Sequence, residues 1–198
     1  RKKDKAQRKR QNKADKQAAA EAEKEREKRE AGPSGREIEL KALSRHLLAR
    51  KPPMRVQEVA ADGNCLYRSV VDQLRRARPD LHAWARAPEC HHDEVRSICA
   101  KALRSRQDSL GPFAELKEGE DFNGYCDRVE HSADWGGELE LRALADELRV
   151  RIFVHRAEDA NPLVLGEEKD GGAPLQVAFH RHYYALGEHY NSVVPFNE

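Results

Sequence analysis

Asp62-Gly63-Asn64-Cys65-Leu66-Tyr67-Arg68-Ser69 sets a thiol where a polar turn gives way to an apolar repeat. Asp62 and Asn64 are turn formers whose side chains bond nearby amides, and Gly63 permits positive φ or a close backbone approach. Leu66, Val70 and Leu74 then recur at helical spacing with Tyr67 and Val71 beside them, which predicts a helix whose first turn carries Cys65. Unpaired N–H groups and the positive end of the helix dipole favour a thiolate there, and the thiolate is the species that attacks carbonyl carbon. The chemistry on offer is acyl transfer by a sulfur nucleophile. The turn's own backbone, at Gly63, Asn64 and Cys65, is the candidate oxyanion site.

A base for that thiol lies near the other end of the chain, in Gly187-Glu188-His189-Tyr190-Asn191-Ser192-Val193-Val194. Residues i and i+2 of a strand face the same side, so His189 and Asn191 form a candidate base and orienter. The amide would fix the imidazole so that its other nitrogen faces the sulfur.

These two segments, in this order, resemble the signatures of the ovarian-tumour (OTU) family of cysteine deubiquitinases. Trp135-Gly136-Gly137-Glu138-Leu139-Glu140-Leu141 is similar to a third family element, a turn and helix start before a central strand. The resemblance covers roughly residues 50 to 196. It implies a papain-like α+β domain over residues 50–198, with a small sheet between helical layers and the Cys65 helix abutting the strand of His189. It also implies Cys65 as nucleophile, His189 as general base, and Asp62 or Asn191 as the third, polarising residue. Many relatives carry Asp where this chain has Asn191, and a neutral amide can still fix the ring. The implied reaction hydrolyses the isopeptide bond at the ubiquitin C-terminus, and no metal or organic cofactor is called for. Ubiquitin or polyubiquitin chains are the implied partners, with the protein a monomer. Two other readings stay open: a catalytically silent ubiquitin-binding module, and an RNA- or ribosome-docking protein.

The docking reading comes from charge. Residues 1–30 hold thirteen Lys and Arg against seven Asp and Glu, a net of +6 in a chain whose total is +1, so the remainder carries −5. Residues 1–31 contain almost no large apolar side chain and cannot build a core. Their Ala, Glu, Lys, Arg and Gln predict a charged helical or disordered extension. Ala31-Gly32-Pro33-Ser34-Gly35 breaks that pattern, so residues 32–49 read as linker and leading helix. Arg1 to Lys16 is the stretch suited to phosphate-rich RNA, and OTU relatives with such an extension include proteins of the small ribosomal subunit. Cys65, Cys90, Cys99 and Cys126 show no paired C-x-x-C spacing, which predicts free thiols in a reducing compartment. No apolar run approaches the ~18 residues that span a bilayer. The expectation is a cytoplasmic protein, with the nucleus left open by the basic N-terminus.

Periodicity supplies the elements that must hold the site. Ile38, Leu40, Leu43, Leu47 and Leu48 predict a helix ended by Pro52-Pro53, and residues 54–59 a short strand. Val95, Ile98, Cys99, Ala102 and Leu103 mark a second apolar helical face, with Cys99 in the core. Phe113, Leu116, Phe122, Tyr125, Cys126 and Val129 suggest further helical turns, and Leu141, Leu144, Ala145 and Leu148 another helix. Strands are expected at residues 150–154, 175–179, 183–186 and 189–194, giving helices first and strands late, an α+β order.

Other chemistry-bearing residues receive plainer expectations. Cys90-His91-His92 lacks a second ligand pair at workable spacing for zinc. His180 and His182 read as surface or ubiquitin-contacting residues, and His155 as a strand end. Trp135 is expected as a buried ring anchoring the Gly136-Gly137 turn, and Tyr67 and Tyr190 as groove walls. Residues 157–173, acidic and Gly-rich, read as a surface loop.

Overall fold

The computed structural model describes residues 34–79, 81, 91–167, 172–184 and 187–197, together with isolated positions before residue 34. Among those isolated positions Lys13, Lys16, Gln17, Glu21 and Glu23 are helical. The rest of the charged extension lies outside the described residues, as do Cys90 and the tip of the acidic loop. The chain divides into two units, Arg1–Ile38 and Glu39–Glu198.

Helix α1, Gly35–Leu48, opens with a capping box: Ser34 Oγ accepts the Glu37 N–H while Glu37 accepts the Ser34 N–H at 2.8 Å. Strand β1 is Met54–Gln57. Helix α2, Cys65–Ala77, is the helix expected after the thiol, and Leu66, Tyr67, Val70 and Leu74 line its buried face. Then come α3 (His92–Ser105), the short α4 (Gln107–Leu110) and a single 3₁₀ turn at Gly111–Phe113. Helices α5 (Phe122–His131) and α6 (Glu138–Leu148) complete the helical layer. The later chain supplies β2 (Ile152–His155), β3 (Leu163–Leu165), β4 (Leu175–Tyr184) and β5 (Gly187–Pro195).

The five strands run in the order β1-β5-β4-β2-β3, antiparallel except for the parallel β2/β4 pair. Successive residues of β4 and β5 point to opposite faces, and the two faces feed two apolar clusters. Val177 and Tyr190 join the larger cluster with α2, α3, α5 and α6. Ala178 and Val193 join the smaller one with Leu43 and Leu47 of α1 and Met54. The sheet is therefore sandwiched, the α+β arrangement expected of the sequence. Strand β5 is interior, between β1 and β4, and from His189 to Val194 every residue is buried.

Four expectations are corrected. Phe113 ends a single 3₁₀ turn, but Leu116 lies in irregular chain rather than in a helical turn, and both side chains are exposed, at 73% and 46%. Trp135 is 56% exposed rather than buried. Instead the glycine beside it does the packing: a Cβ on Gly136 would stand 2.9 Å from the Tyr67 hydroxyl. The acidic loop holds a strand, β3, because Leu163 and Leu165 alternate with Val164 and pair with β2. The separate strand expected at residues 183–186 is instead the end of β4, displaced by a bulge between His180 and Tyr184; residues 185–186 lie outside the described residues.

Candidate active site

Cys65 is the first residue of α2 and only 7% exposed. Helix α2 packs on β5, and Cys65 and Tyr190 share the larger apolar cluster, so the thiol lies on the helix that covers the strand of His189; the Tyr190 backbone N–H favours its thiolate. A polar clamp holds helix and strand in this alignment two turns further on. Gln73 Nε2 donates 2.8 Å bonds to Ser192 Oγ and the Val193 carbonyl, and its Oε1 accepts the Gln176 N–H at 2.8 Å. The Ser192 hydroxyl donates in turn to Asp72.

On β5, His189 Nε2 is 3.0 Å from Asn191 Oδ1. The same oxygen accepts the Val59 N–H at 3.0 Å. A backbone N–H needs an acceptor, so that bond identifies the oxygen end of the amide. His189 Nε2 must then carry a proton, and Nδ1 is the basic nitrogen of the neutral ring. Asn191 is fully buried, and its Nδ2 is 3.2 Å from His180 Nε2. His180 is thus not a surface residue: it pairs across strands with His189 and is fully buried. Tyr183 stacks on the His189 ring with centroids 4.9 Å apart, and its hydroxyl donates to Glu58.

Asp62 takes part differently from Asn191. Its carboxylate receives Arg68 Nη2 at 2.8 Å and Nε at 3.0 Å, and its Oδ1 accepts the Asn64 N–H at 2.9 Å. Every hydrogen bond its side chain makes stays within the turn and the first coil of α2. Its charge nevertheless acts on the site: behind the larger effect of burial, it adds to the rise of the Cys65 pKa and partly offsets the lowering of the His189 pKa.

Two of the three turn amides offered as an oxyanion site are engaged here. The Asn64 N–H goes to Asp62 Oδ1, and the Cys65 N–H reaches the Asp62 carbonyl at 3.3 Å. Gly63 is required by packing: a Cβ there would lie 1.6 Å from the Ala133 carbonyl oxygen.

Arg96, which sequence reasoning passed over, ties this turn to its surroundings. It is 1% exposed on α3 and donates to Asn64 Oδ1 at 2.8 Å and the Gly63 carbonyl at 3.0 Å. Its other bonds reach the Val129 and Asp134 carbonyls, both at 2.8 Å, and its guanidinium lies 4.0 Å from the centre of the Tyr67 ring. The signal in the sequence is its spacing, three residues before Cys99 and seven before Leu103, which puts it at the edge of that helix's apolar face.

The thiol's expected acidity is also corrected. Burial pushes the Cys65 pKa up and outweighs the Tyr190, Leu66 and Cys65 amides that favour the thiolate, while the Asp62 charge adds to the rise. Burial likewise lowers the His189 pKa, against the opposing bond to Asn191. Both shifts favour a neutral thiol and a neutral imidazole. Among the described residues no group of three or more His, Cys, Asp and Glu could hold a metal ion, and no helix is long and apolar enough to cross a membrane.

Residues 60–190 match the family model described as "OTU-like cysteine protease". The chain belongs to the OTU-like cysteine protease family. The mouse protein named Deubiquitinase OTUD6B is 34% identical over 195 residues, covering 96% of this chain and 62% of its own length. The solved OTUD1 OTU domain superposes with a TM-score of 0.54 at 22% identity, covering 79% of this chain and 95% of that one. An OTU domain solved in complex with ubiquitin gives 0.50 at 17% identity, covering 71% and 69%. These structures share the OTU fold with the chain.

Proposed function

We propose that the chain is a deubiquitinating cysteine protease that hydrolyses isopeptide bonds at the ubiquitin C-terminus. The observation that carries this reading is the His189–Asn191 pair at 3.0 Å on β5, with Cys65 as the first residue of α2, the helix packed on that strand. Family membership, the named deubiquitinase relative and the ubiquitin-bound OTU structure support it.

In this mechanism His189 Nδ1 takes the Cys65 proton, and the sulfur attacks the carbonyl carbon of the terminal glycine. Asn191 stabilises the imidazolium through Nε2 and keeps the ring from turning. The tetrahedral intermediate collapses as the imidazolium hydrogen protonates the leaving lysine amine, leaving a thioester. Water, deprotonated by the same ring, attacks the thioester, and the sulfur departs with the proton returned. The turn amides meet the developing oxyanion, and the Asn64 N–H joins them when Asp62 Oδ1 lets it go. Asp62 is thus a turn residue that sets the resting state, and Asn191 is the orienter of His189.

The test is a panel of di-ubiquitins incubated with the purified chain: cleavage that disappears in Cys65→Ala supports the proposal, and intact dimers throughout refute it. A silent ubiquitin-binding module is the second reading, favoured by the raised thiol pKa and by the Asn64 amide held on Asp62. Di-ubiquitin bound but uncut by the wild-type chain selects it. For the extension, we propose that Arg1 to Lys16 docks on ribosomal RNA in the cytoplasm, supported by the net +6 of residues 1–30. Co-sedimentation with ribosomes that is weakened by salt and lost on deleting residues 1–31 agrees with docking; unchanged co-sedimentation contradicts it.

A further inference from the structure

A carboxylate is the same from either side, but an amide is not, and the end Asn191 presents decides what His189 can do. With Oδ1 toward Nε2, His189 carries its proton there and keeps a basic Nδ1. With Nδ2 toward Nε2, the ring would have to accept, its proton would sit on Nδ1, and it could not take one from a thiol. The Val59 N–H on Oδ1 opposes that reversal. It leaves the Nδ2 hydrogens, in a fully buried side chain, in need of an acceptor.

That acceptor is His180 Nε2 at 3.2 Å. His180 stands directly across from His189 in the β4/β5 register, and its ring packs on Tyr183 with centroids 4.5 Å apart. Its place is held from α1. The buried carboxylate of Glu39 accepts the N–H groups of Arg181, at 2.6 Å, and His182, at 2.8 Å. Those amides lie in the bulge that separates the His180 and Tyr184 pairings. Glu39 therefore fixes the irregularity that lets His180 lie behind Asn191 while Tyr183 covers His189.

We propose that His180 is a positioning residue of the site: as a neutral Nε2 acceptor it locks the Asn191 amide with its oxygen toward His189, and so selects the Nδ1-basic tautomer of the general base. The role deepens the deubiquitinase reading, and its kinetic arm rests on that reading; its spectroscopic arm does not.

The experiment uses the full chain with ¹⁵N-labelled histidine. In the wild type, His189 should show a protonated Nε2 and an unprotonated Nδ1, and His180 the reverse. A protonated His180 Nε2 in the folded wild type overturns the proposal without any variant. In His180→Leu, which cannot accept, the His189 signals should move toward a mixture of tautomers. On a fluorogenic ubiquitin C-terminal amide, kcat should fall about tenfold with KM unchanged, an effect the size of one lost orienting hydrogen bond. His180→Gln, whose amide oxygen can stand in for Nε2, should restore both signals. Wild-type tautomers and kcat in His180→Leu overturn the proposal, and so does a Gln variant as impaired as the Leu one. A wild type with the stated tautomers but no hydrolysis fails the deubiquitinase reading and leaves the positioning role standing.

Discussion

Arg96 directs its whole guanidinium at neutral partners, four oxygen acceptors and the face of Tyr67, so its role is to hold backbone rather than to balance a charge. Replacing it with Met should cost about 3 kcal/mol or more, since buried carbonyls on the catalytic turn and its neighbour loop lose their donor, and chemical denaturation measures the loss. Gly63→Ala should be harmful for a different reason. The new methyl meets a backbone oxygen, not a side-chain tip that can move, so the turn itself must shift. Hydrolysis should fall at least tenfold by misplacing Cys65, even where thermal unfolding shows a folded protein. The neutral state of Cys65 and His189 gives a pH prediction. A thiol whose pKa is raised by burial reacts with iodoacetamide through its scarce thiolate, so alkylation should climb as pH rises past 9. A rate already flat from mildly acidic pH upward would mean a thiolate–imidazolium pair in the free enzyme and contradict this account.

At the scale of elements, the site depends on how α2 and α1 grip the sheet from opposite sides. Gln73 joins α2 to both β4 and β5, and Gln73→Leu should cost about 2–3 kcal/mol because the Val193 carbonyl and Gln176 N–H are left unpaired in the core. It should also raise the rate of Cys65 alkylation as the helix loosens from Tyr190. The sequence made the helices bearing Cys65 and Leu141 legible, because their apolar spacing is long and regular. It made the His189–Asn191 pairing legible too, because strand period alone puts the two on one face. The polar residues that lock these elements were hidden for a common reason. Glu39, Gln73, Arg96 and His180 are types that usually face water; the first three are buried through partners more than 30 residues away, and His180 through Asn191 across the β4/β5 pairing. Trp135 shows the opposite error. Its size points to the core, while Gly136 after it is what packs against the Tyr67 hydroxyl.

For the whole molecule, the shifted groups act in one direction on each side of neutrality. His155 and His189 have pKa values lowered below 6.5 by burial, and Asp62, Glu130 and Asp134 are lowered by their cationic partners against the cost of burial. A folded-state pKa below the unfolded value adds stability above the unfolded value and withdraws it as pH falls. Tm should therefore decline from about pH 6.5 downward, first through the histidines and then through the carboxylates. Cys65 and Cys99 are shifted upward from 9.0, so their contribution is full below that value and lost as pH rises beyond it. Stability should be flat between these limits, and a maximum near pH 5 in a pH series of thermal melts would contradict the shifts. The central claim is that the Cys65 sulfur and the His189 ring work as one catalytic pair at the end of β5. Its most direct test is reaction with ubiquitin carrying a C-terminal electrophile, followed by peptide mapping of the adduct. The account predicts one ubiquitin attached at Cys65, greatly slowed in His189→Ala and absent in Cys65→Ala. Attachment at another cysteine, or capture at Cys65 that is indifferent to loss of His189, would contradict it.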